Sequence, residues 1–246
     1  MSRLAIIGGT GLTELDNLEI THRKQIATPW GETSGPLAHG ELEGREVVFL
    51  PRHGQGHTIP PHKVNYRANI WALHHLGVDQ VIAVNAVGGI RRDMPPARLI
   101  VPDQIIDYTW GRGHTFFEDD LDHVTHVDFT RPYCDDLRER ILAAAAAAGV
   151  RVVPDGTYGA TQGPRLESAA EVDRLERDGC DLVGMTGMPE AALARELGLC
   201  YACIAVSANW AAGRGEGEIT MEQIEASLVS GMEQVRAVLA RLVPVV

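Results

Sequence analysis

The chain has 246 residues, 45% of them hydrophobic, which allows one large core or at most two small ones. Its formal net charge of -11 argues against a nucleic-acid or anionic-membrane partner, since both need clustered Lys and Arg. A small anionic ligand is not excluded, because a few local cations outweigh a distant average charge.

Four cysteines in a chain of this length do not suggest a disulfide scaffold. Cys200 and Cys203 form a C-x-x-C, but the surrounding run reads as a buried strand, in which positions three apart face opposite sides. A redox pair normally sits at a helix N-terminus, so the pair is read as structural. The apolar run at residues 4–7 is strand-length and ends in glycines, unlike a signal peptide. No stretch approaches the roughly 20 apolar residues of a membrane helix. The expectation is a soluble, cytoplasmic protein.

In chain order, a buried strand is expected at residues 4–7, ended by Gly8-Gly9-Thr10-Gly11. A second at 47–50 ends at Pro51-Arg52-His53-Gly54. A helix over 65–76 stops at Gly77, and a strand at 81–84 runs into Asn85-Ala86-Val87-Gly88-Gly89. A strand is expected over 99–106, then a long surface excursion over 107–131, a length of loop that is often functional. The alanine-rich run 135–148, with Asp at its start and Gly149 after it, predicts a helix. A strand at 152–158 and the loop Thr161-Gln162-Gly163-Pro164-Arg165 follow. A helix is expected at 167–177, a strand at 182–185, and a helix opened by Pro189 and closed by Gly198. The strand at 201–206 ends in Ser207-Ala208-Asn209. Thr220 and Gln223 form a capping box before Ile224, Leu228, Met232, Val235, Leu239 and Leu242, which recur at helical spacing. No repeat or linker is visible, so residues 1–246 are read as a single α/β domain.

Strand ends that carry Thr10, Arg52-His53, Asn85-Ala86, Met185-Thr186 and Ser207-Asn209 supply backbone amides, hydroxyls and one Arg. Ligands of open α/β sheets sit outside the carboxyl ends of the strands, and this set suits a tetrahedral oxyanion. Each residue alone is an ordinary turn residue; together they read as a phosphate site. A dinucleotide fingerprint is absent, because Gly9-Thr10-Gly11-Leu12-Thr13-Glu14 lacks the third glycine. No metal is expected: His53-x-x-x-His57 has ligand spacing only on a helix, and Gly54 and Gly56 disfavour one.

The runs Gly8-Gly9-Thr10-Gly11, Pro51-Arg52-His53-Gly54, His57-Thr58-Ile59, Lys63-Val64-Asn65-Tyr66-Arg67-Ala68-Asn69, Gly163-Pro164-Arg165 and Met185-Thr186-x-Met188-Pro189-Glu190 resemble methylthioadenosine phosphorylase. That enzyme belongs to the trimeric purine nucleoside phosphorylase group, and the resemblance covers nearly the whole chain. It implies a mixed twisted sheet flanked by helices, assembled as a homotrimer or a hexamer, with active sites near subunit interfaces. It also implies inorganic phosphate as co-substrate and no cofactor. By the resemblance, Thr10, Arg52, His53, Ala86 and Thr186 hold phosphate and His57 lies close by. Met185 packs on the ribose, and His126 reaches a neighbouring subunit's 5' pocket.

The departures from that family are informative. Where methylthioadenosine phosphorylases carry a D-x-D for adenine, this chain has Asn209-Trp210-Ala211; where they usually carry a serine, it has Glu167. Both changes resemble phosphorylases of inosine and guanosine. Hypoxanthine donates at N1–H and accepts at O6, the reverse of adenine. A Glu167 carboxylate can accept from N1–H, and the Asn209 amide can serve O6 and a protonated N7. Glu167 could alternatively be a first-turn helix residue, and Asn209 a turn residue. Met221 stands where enzymes for ordinary nucleosides hold the 5'-hydroxyl with a histidine; it either meets a methylthio group or packs under the helix start. The expected reaction is phosphorolysis of a 5'-methylthio nucleoside of a 6-oxopurine, releasing hypoxanthine and 5-methylthioribose 1-phosphate. The rival readings are a methylthioadenosine phosphorylase, an inosine/guanosine phosphorylase and a non-catalytic purine-nucleoside-binding protein. Gly213, Gly215 and Gly217 after Asn209 suggest a lid or a flexible turn.

Overall fold

A computed structural model describes residues 3–12, 17–119 and 121–246. Thr13 and Glu14, where the dinucleotide fingerprint fails, lie outside the described residues. The elements in order are β1 (Leu4–Gly8), β2 (Glu19–Lys24), β3 (Ala27–Thr28), β4 (Gly31–Glu32), β5 (Leu37–Leu42), β6 (Arg45–Pro51), α1 (Tyr66–His75), β7 (Gln80–Gly89), β8 (Leu99–Ile100) and β9 (Gln104–Asp107). They continue with α2 (Asp135–Ala147), β10 (Val152–Val153), β11 (Thr157–Ala160), α3 (Ala169–Arg177), β12 (Leu182–Gly184), α4 (Gly187–Glu196), β13 (Cys200–Trp210) and α5 (Met221–Leu242).

Among the described residues, eleven strands form one mixed sheet ordered β10-β8-β13-β7-β1-β6-β5-β2, with β12 bridging β7 to β11 and β9 beyond. The central strands β13, β7, β1 and β6 are parallel, whereas β12 runs antiparallel to β7. The fold is therefore α/β, as expected, with helices on both faces. β1 shows how the sequence builds both layers. Leu4 and Ile6 join a cluster with Leu137 and Ile141 of α2 and Met232 and Val235 of α5. Ala5 and Ile7 join another with Ile70 and Leu73 of α1 and Ala191 and Leu193 of α4. A strand buried on both faces needs this continuous apolar run. On α5, Leu228, Met232, Val235, Leu239 and Leu242 are buried, and Gly231 lets the helix lie close to β13, since a Cβ there would meet Val206 Cγ1 at 2.3 Å.

Several expected boundaries move for local reasons. The strand expected over 99–106 is two strands, interrupted around Pro102, and they pair with different partners. The strand expected at 152–158 is likewise split, at Pro154-Asp155-Gly156, where Gly156 has φ 145°. The helix expected from Glu167 starts at Ala169: Ser168 is its N-cap, with Glu171 closing a capping box, so Glu167 precedes the helix rather than lying in its first turn. The Thr220–Gln223 capping box of α5 is formed. Residues 53–57 form turns, with His57 at φ 56°, so His53 and His57 are not presented from a helix. The reading of the cysteines needs correction. Cys134, at the N-cap of α2, forms a disulfide with Cys200 at the start of β13, while Cys203 is free and buried. Strand spacing does keep Cys200 from Cys203; what sequence spacing did not show is that β13 passes the N-terminus of α2.

Candidate active site

The parallel strands end level with one another, Gly8 opposite Pro51 and Ser207 opposite Val87, and a cavity of about 400 Å³ opens at these ends. Thr10, Arg52, His53 and Ala86 line it, with His57, Met185 and Thr186. Glu167, Asn209, Ala211 and Met221 complete the set of expected residues on its wall. Two expected residues lie elsewhere. Trp210 lines an adjoining cavity of about 380 Å³ behind Asn209, and His126 is exposed on the excursion, away from the cavity of its own chain.

One side of the cavity has the character of an anion cradle. Gly9 has no room for a Cβ, which would stand 2.5 Å from Val84 O and 2.8 Å from Arg52 Nη1. Val84 O turns toward Arg52 (3.0 Å) on the β1 edge of β7. Two residues on, the backbone of Ala86 points to the same edge, past the last pairing of β7 with β1 at Ala83. Thr186 accepts a hydrogen bond from Asn85 Nδ2 (2.8 Å), which leaves the Thr186 hydroxyl proton free for a ligand. Thr10 Oγ1 is 3.4 Å from His57 Nε2.

Arg52 is fully buried and is held by Glu190 of α4 through two 2.7 Å contacts, Nε to Oε2 and Nη2 to Oε1. Nη2 also donates to Asn85 Oδ1 (3.3 Å). Burial opposes the charge of Arg52, and the Glu190 carboxylate more than restores it, so the guanidinium stays protonated. Among the described residues, four of its five N–H groups are committed, leaving one on Nη1 for an anion. Arg52 is thus a charge-compensated donor rather than a bare cation. Glu190 also accepts from Tyr201 (2.9 Å), so both carboxylate oxygens are satisfied.

His53 donates from Nδ1 to Ile59 O (2.8 Å). Burial first, and then the neighbouring Arg52 charge, pull its pKa down to about 4. The ring is neutral near pH 7, with Nε2 an acceptor, so it suits a protonated oxygen of an anion. Burial lowers the pKa of His57 as well, and the two rings lie 4.6 Å apart.

The opposite side carries Glu167 and Asn209. An irregularity in β13 between Ser207 and Asn209 shifts the register against β7 and re-aims the strand end at the cavity. Asn209 Nδ2 donates to Trp210 O (2.7 Å), while Glu167 Oε1 accepts from the Thr161 hydroxyl at 2.6 Å. Met221, at the first position of α5, is 63% exposed, so in a single chain its thioether sits at the cavity mouth rather than under the helix.

The residues that sequence reasoning missed are supports. Arg112, in the excursion, is nearly buried and donates to Met185 O (2.8 Å), Met188 O (2.6 Å) and Gln162 O (2.9 Å), with its charge over the Tyr66 ring. It joins the loop bearing Met185 and Thr186 to the loop before Glu167. Asn65 and Asn69 of the K-V-N-Y-x-A-N motif are structural as well. Asn65 caps α1 and donates to Trp30 O (2.7 Å), and Asn69 holds Ser34 through backbone and hydroxyl. No sequence signal marked these roles: Arg112 stands between glycines in the excursion, and Asn65 and Asn69 stand in a motif that is polar at four of its seven positions.

Over residues 3–244 the sequence matches the family described as the phosphorylase superfamily. The chain belongs to the phosphorylase superfamily. It is an enzyme of the purine nucleoside phosphorylase, pentosyl-transferring type. It is 57% identical to a probable S-methyl-5'-thioinosine phosphorylase of Pseudomonas syringae, with 98% of each chain covered. It is 42% identical to a probable 6-oxopurine nucleoside phosphorylase of Thermococcus kodakarensis, over 99% of this chain and 92% of that one. Among solved structures, methylthioadenosine phosphorylase from Schistosoma mansoni in complex with adenine superposes with a TM-score of 0.95 at 32% identity, covering 99% of this chain and 91% of that one. The family's α/β architecture and the resemblance drawn from the motifs therefore hold.

Proposed function

We propose that the chain, acting as one phosphorylase domain, cleaves S-methyl-5'-thioinosine with phosphate to give hypoxanthine and 5-methylthioribose 1-phosphate. The observation that carries the reading is the pairing of Glu167 and Asn209 on one wall of a cavity whose other wall is an anion cradle. The 57% identical relative named for this reaction supports it.

In this reading phosphate lies among Thr10, Arg52, His53, the Ala86 amide and Thr186, below the sugar. Met185 packs on the ribose, and Met221, with His126 of a neighbouring subunit, meets the methylthio end. As the C1'–N9 bond stretches, positive charge grows on the sugar and negative charge on the base. The phosphate dianion opposes the first, and the Asn209 amide stabilises the second at N7 and O6 while Glu167 holds N1–H. Catalysis is then positioning and electrostatics, with no covalent enzyme intermediate, no metal and no cofactor invoked. Homo-oligomerisation as a trimer or hexamer, in the cytoplasm, belongs to the same proposal. Its support is the exposure of large apolar side chains on the excursion, Trp110 (73%) and Val124 (71%). Among the described residues no helix is long and apolar enough to cross a membrane.

The test is base release from S-methyl-5'-thioinosine, methylthioadenosine and inosine, each with and without phosphate. Phosphate-dependent release with methylthioinosine preferred is expected. Asn209→Asp should lower kcat on the 6-oxopurine by about 100-fold to 1000-fold, the range for loss of one transition-state donor. Equal turnover of methylthioadenosine, or an Asn209→Asp variant with unchanged kcat, overturns the base assignment.

A further inference from the structure

We infer that Thr161 is a positioning residue for 6-oxopurine recognition: its hydroxyl fixes one oxygen of Glu167 so that the other faces the base. The inference rests on the reading of Glu167 proposed above and adds the group that orients it.

The hydroxyl has one proton and two nearby acceptors. Glu167 Oε1 lies at 2.6 Å and Gly184 O at 3.4 Å, so the proton goes to the carboxylate. Thr161 is itself held at both backbone groups. Its N–H donates to Gly184 O (2.8 Å), and its carbonyl accepts from Arg112 Nη2 (3.3 Å). Arg112 also binds Gln162 O and Met185 O, so the position of Thr161 is set by the same cation that sets the ribose-side loop. Glu167 needs such a support. It lies before Ser168, the N-cap of α3, so no helical turn fixes its backbone, and the capping box uses Glu171 instead. A half-buried glutamate left to itself samples many rotamers, and binding has to select one. With Oε1 taken by Thr161, Oε2 remains for a single donor, which is what N1–H of a 6-oxopurine offers and N1 of adenine does not.

Thr161→Val removes the hydroxyl at nearly constant shape, and Thr161→Ala is a second variant should Val disturb the loop. We expect KM for S-methyl-5'-thioinosine to rise about 10-fold, the scale of one hydrogen bond to a charged group, with kcat within about twofold. Selectivity over methylthioadenosine should fall in the same measurement, Thr161→Ser should restore both values, and Thr161→Val should add little in a Glu167→Gln background. Full activity and selectivity in Thr161→Val, alongside an impaired Glu167→Gln, overturn the role of Thr161 and leave that of Glu167 standing. The same holds if the two effects multiply fully, since Thr161 would then act by packing alone. If Glu167→Gln itself leaves 6-oxopurine turnover unchanged, the base assignment fails and this inference with it.

Discussion

Arg52 and His53 are adjacent in sequence, yet the structure gives them opposite electrostatic roles. Arg52 keeps its charge in a buried site because Glu190 compensates it, whereas burial and that same guanidinium deny His53 a charge. The motif was legible, but the division of labour was not, because Glu190 stands 138 positions from Arg52. The depressed pKa of His53 sets a stability expectation. The folded ring binds its proton near pH 4, below the ordinary histidine value of 6.5, so the unfolded chain holds more protons between these values. Stability is full above about pH 6.5 and is lost as pH falls toward 4, by on the order of 3 kcal/mol from this residue. His53→Asn places an amide where Nδ1 donates to Ile59 O and removes the titration. In phosphate-free buffer, its stability should fall less steeply than the parent's between pH 6.5 and 4, as read by urea unfolding at several pH values. Parallel pH profiles would mean that His53 titrates normally.

At the scale of elements, what was readable was what neighbours in sequence decide. The buried β1, the capped α5 and the glycine-ended α1 follow from local apolar runs and caps. β2 was not readable, because as an exposed edge strand, Glu-Ile-Thr-His-Arg-Lys, it carries no apolar alternation and exists only by pairing with β5. The contacts of the segment after β13 were not readable either: its glycines suggested a lid or a flexible turn, and in the structure Arg214 clasps it to α3. Arg214 reaches Asp173 and Glu176 of α3 at 2.9 and 2.7 Å, with the two acceptors 60% and 58% exposed. Exposed pairs of this kind contribute at most about 1 kcal/mol to stability. Their consequence should instead fall on the cavity, because Ile219 of the same segment lines its wall. Arg214→Ala should lower Tm by no more than about 3 °C while raising KM for the nucleoside several-fold. Added salt should raise the parent's KM in the same direction. An unchanged KM in the variant would show that the clasp does not position the segment.

For the whole molecule, apolar clusters on the two faces of the sheet and the cavity at its strand ends follow from α/β patterning, while the family was legible only through the resemblance of its motifs. The disulfide was not legible. It ties the N-cap of α2 to the first residue of β13 across 66 positions, a proximity that only the assembled sheet creates. Closing a loop of that length stabilises the folded chain by about 4 kcal/mol in the chain-entropy account, equivalent to about 10 °C in Tm for a chain of this size. The bond sits at the opposite end of β13 from Asn209, and the backbone bond from Cys134 N to Tyr201 O (2.8 Å) holds α2 against the strand independently of it. Stability and catalysis should therefore separate. Reduction with excess dithiothreitol, or the double change Cys134→Ala with Cys200→Ala, should lower Tm by about 10 °C. At 25 °C the same treatment should leave kcat/KM on S-methyl-5'-thioinosine unchanged within about twofold, because neither cysteine lines the cavity. A reduced protein with unchanged Tm would show that the bond does not form in solution. A reduced protein with the expected lower Tm but lost activity at 25 °C would instead mean that the start of β13 is coupled to the placement of Asn209 at its end.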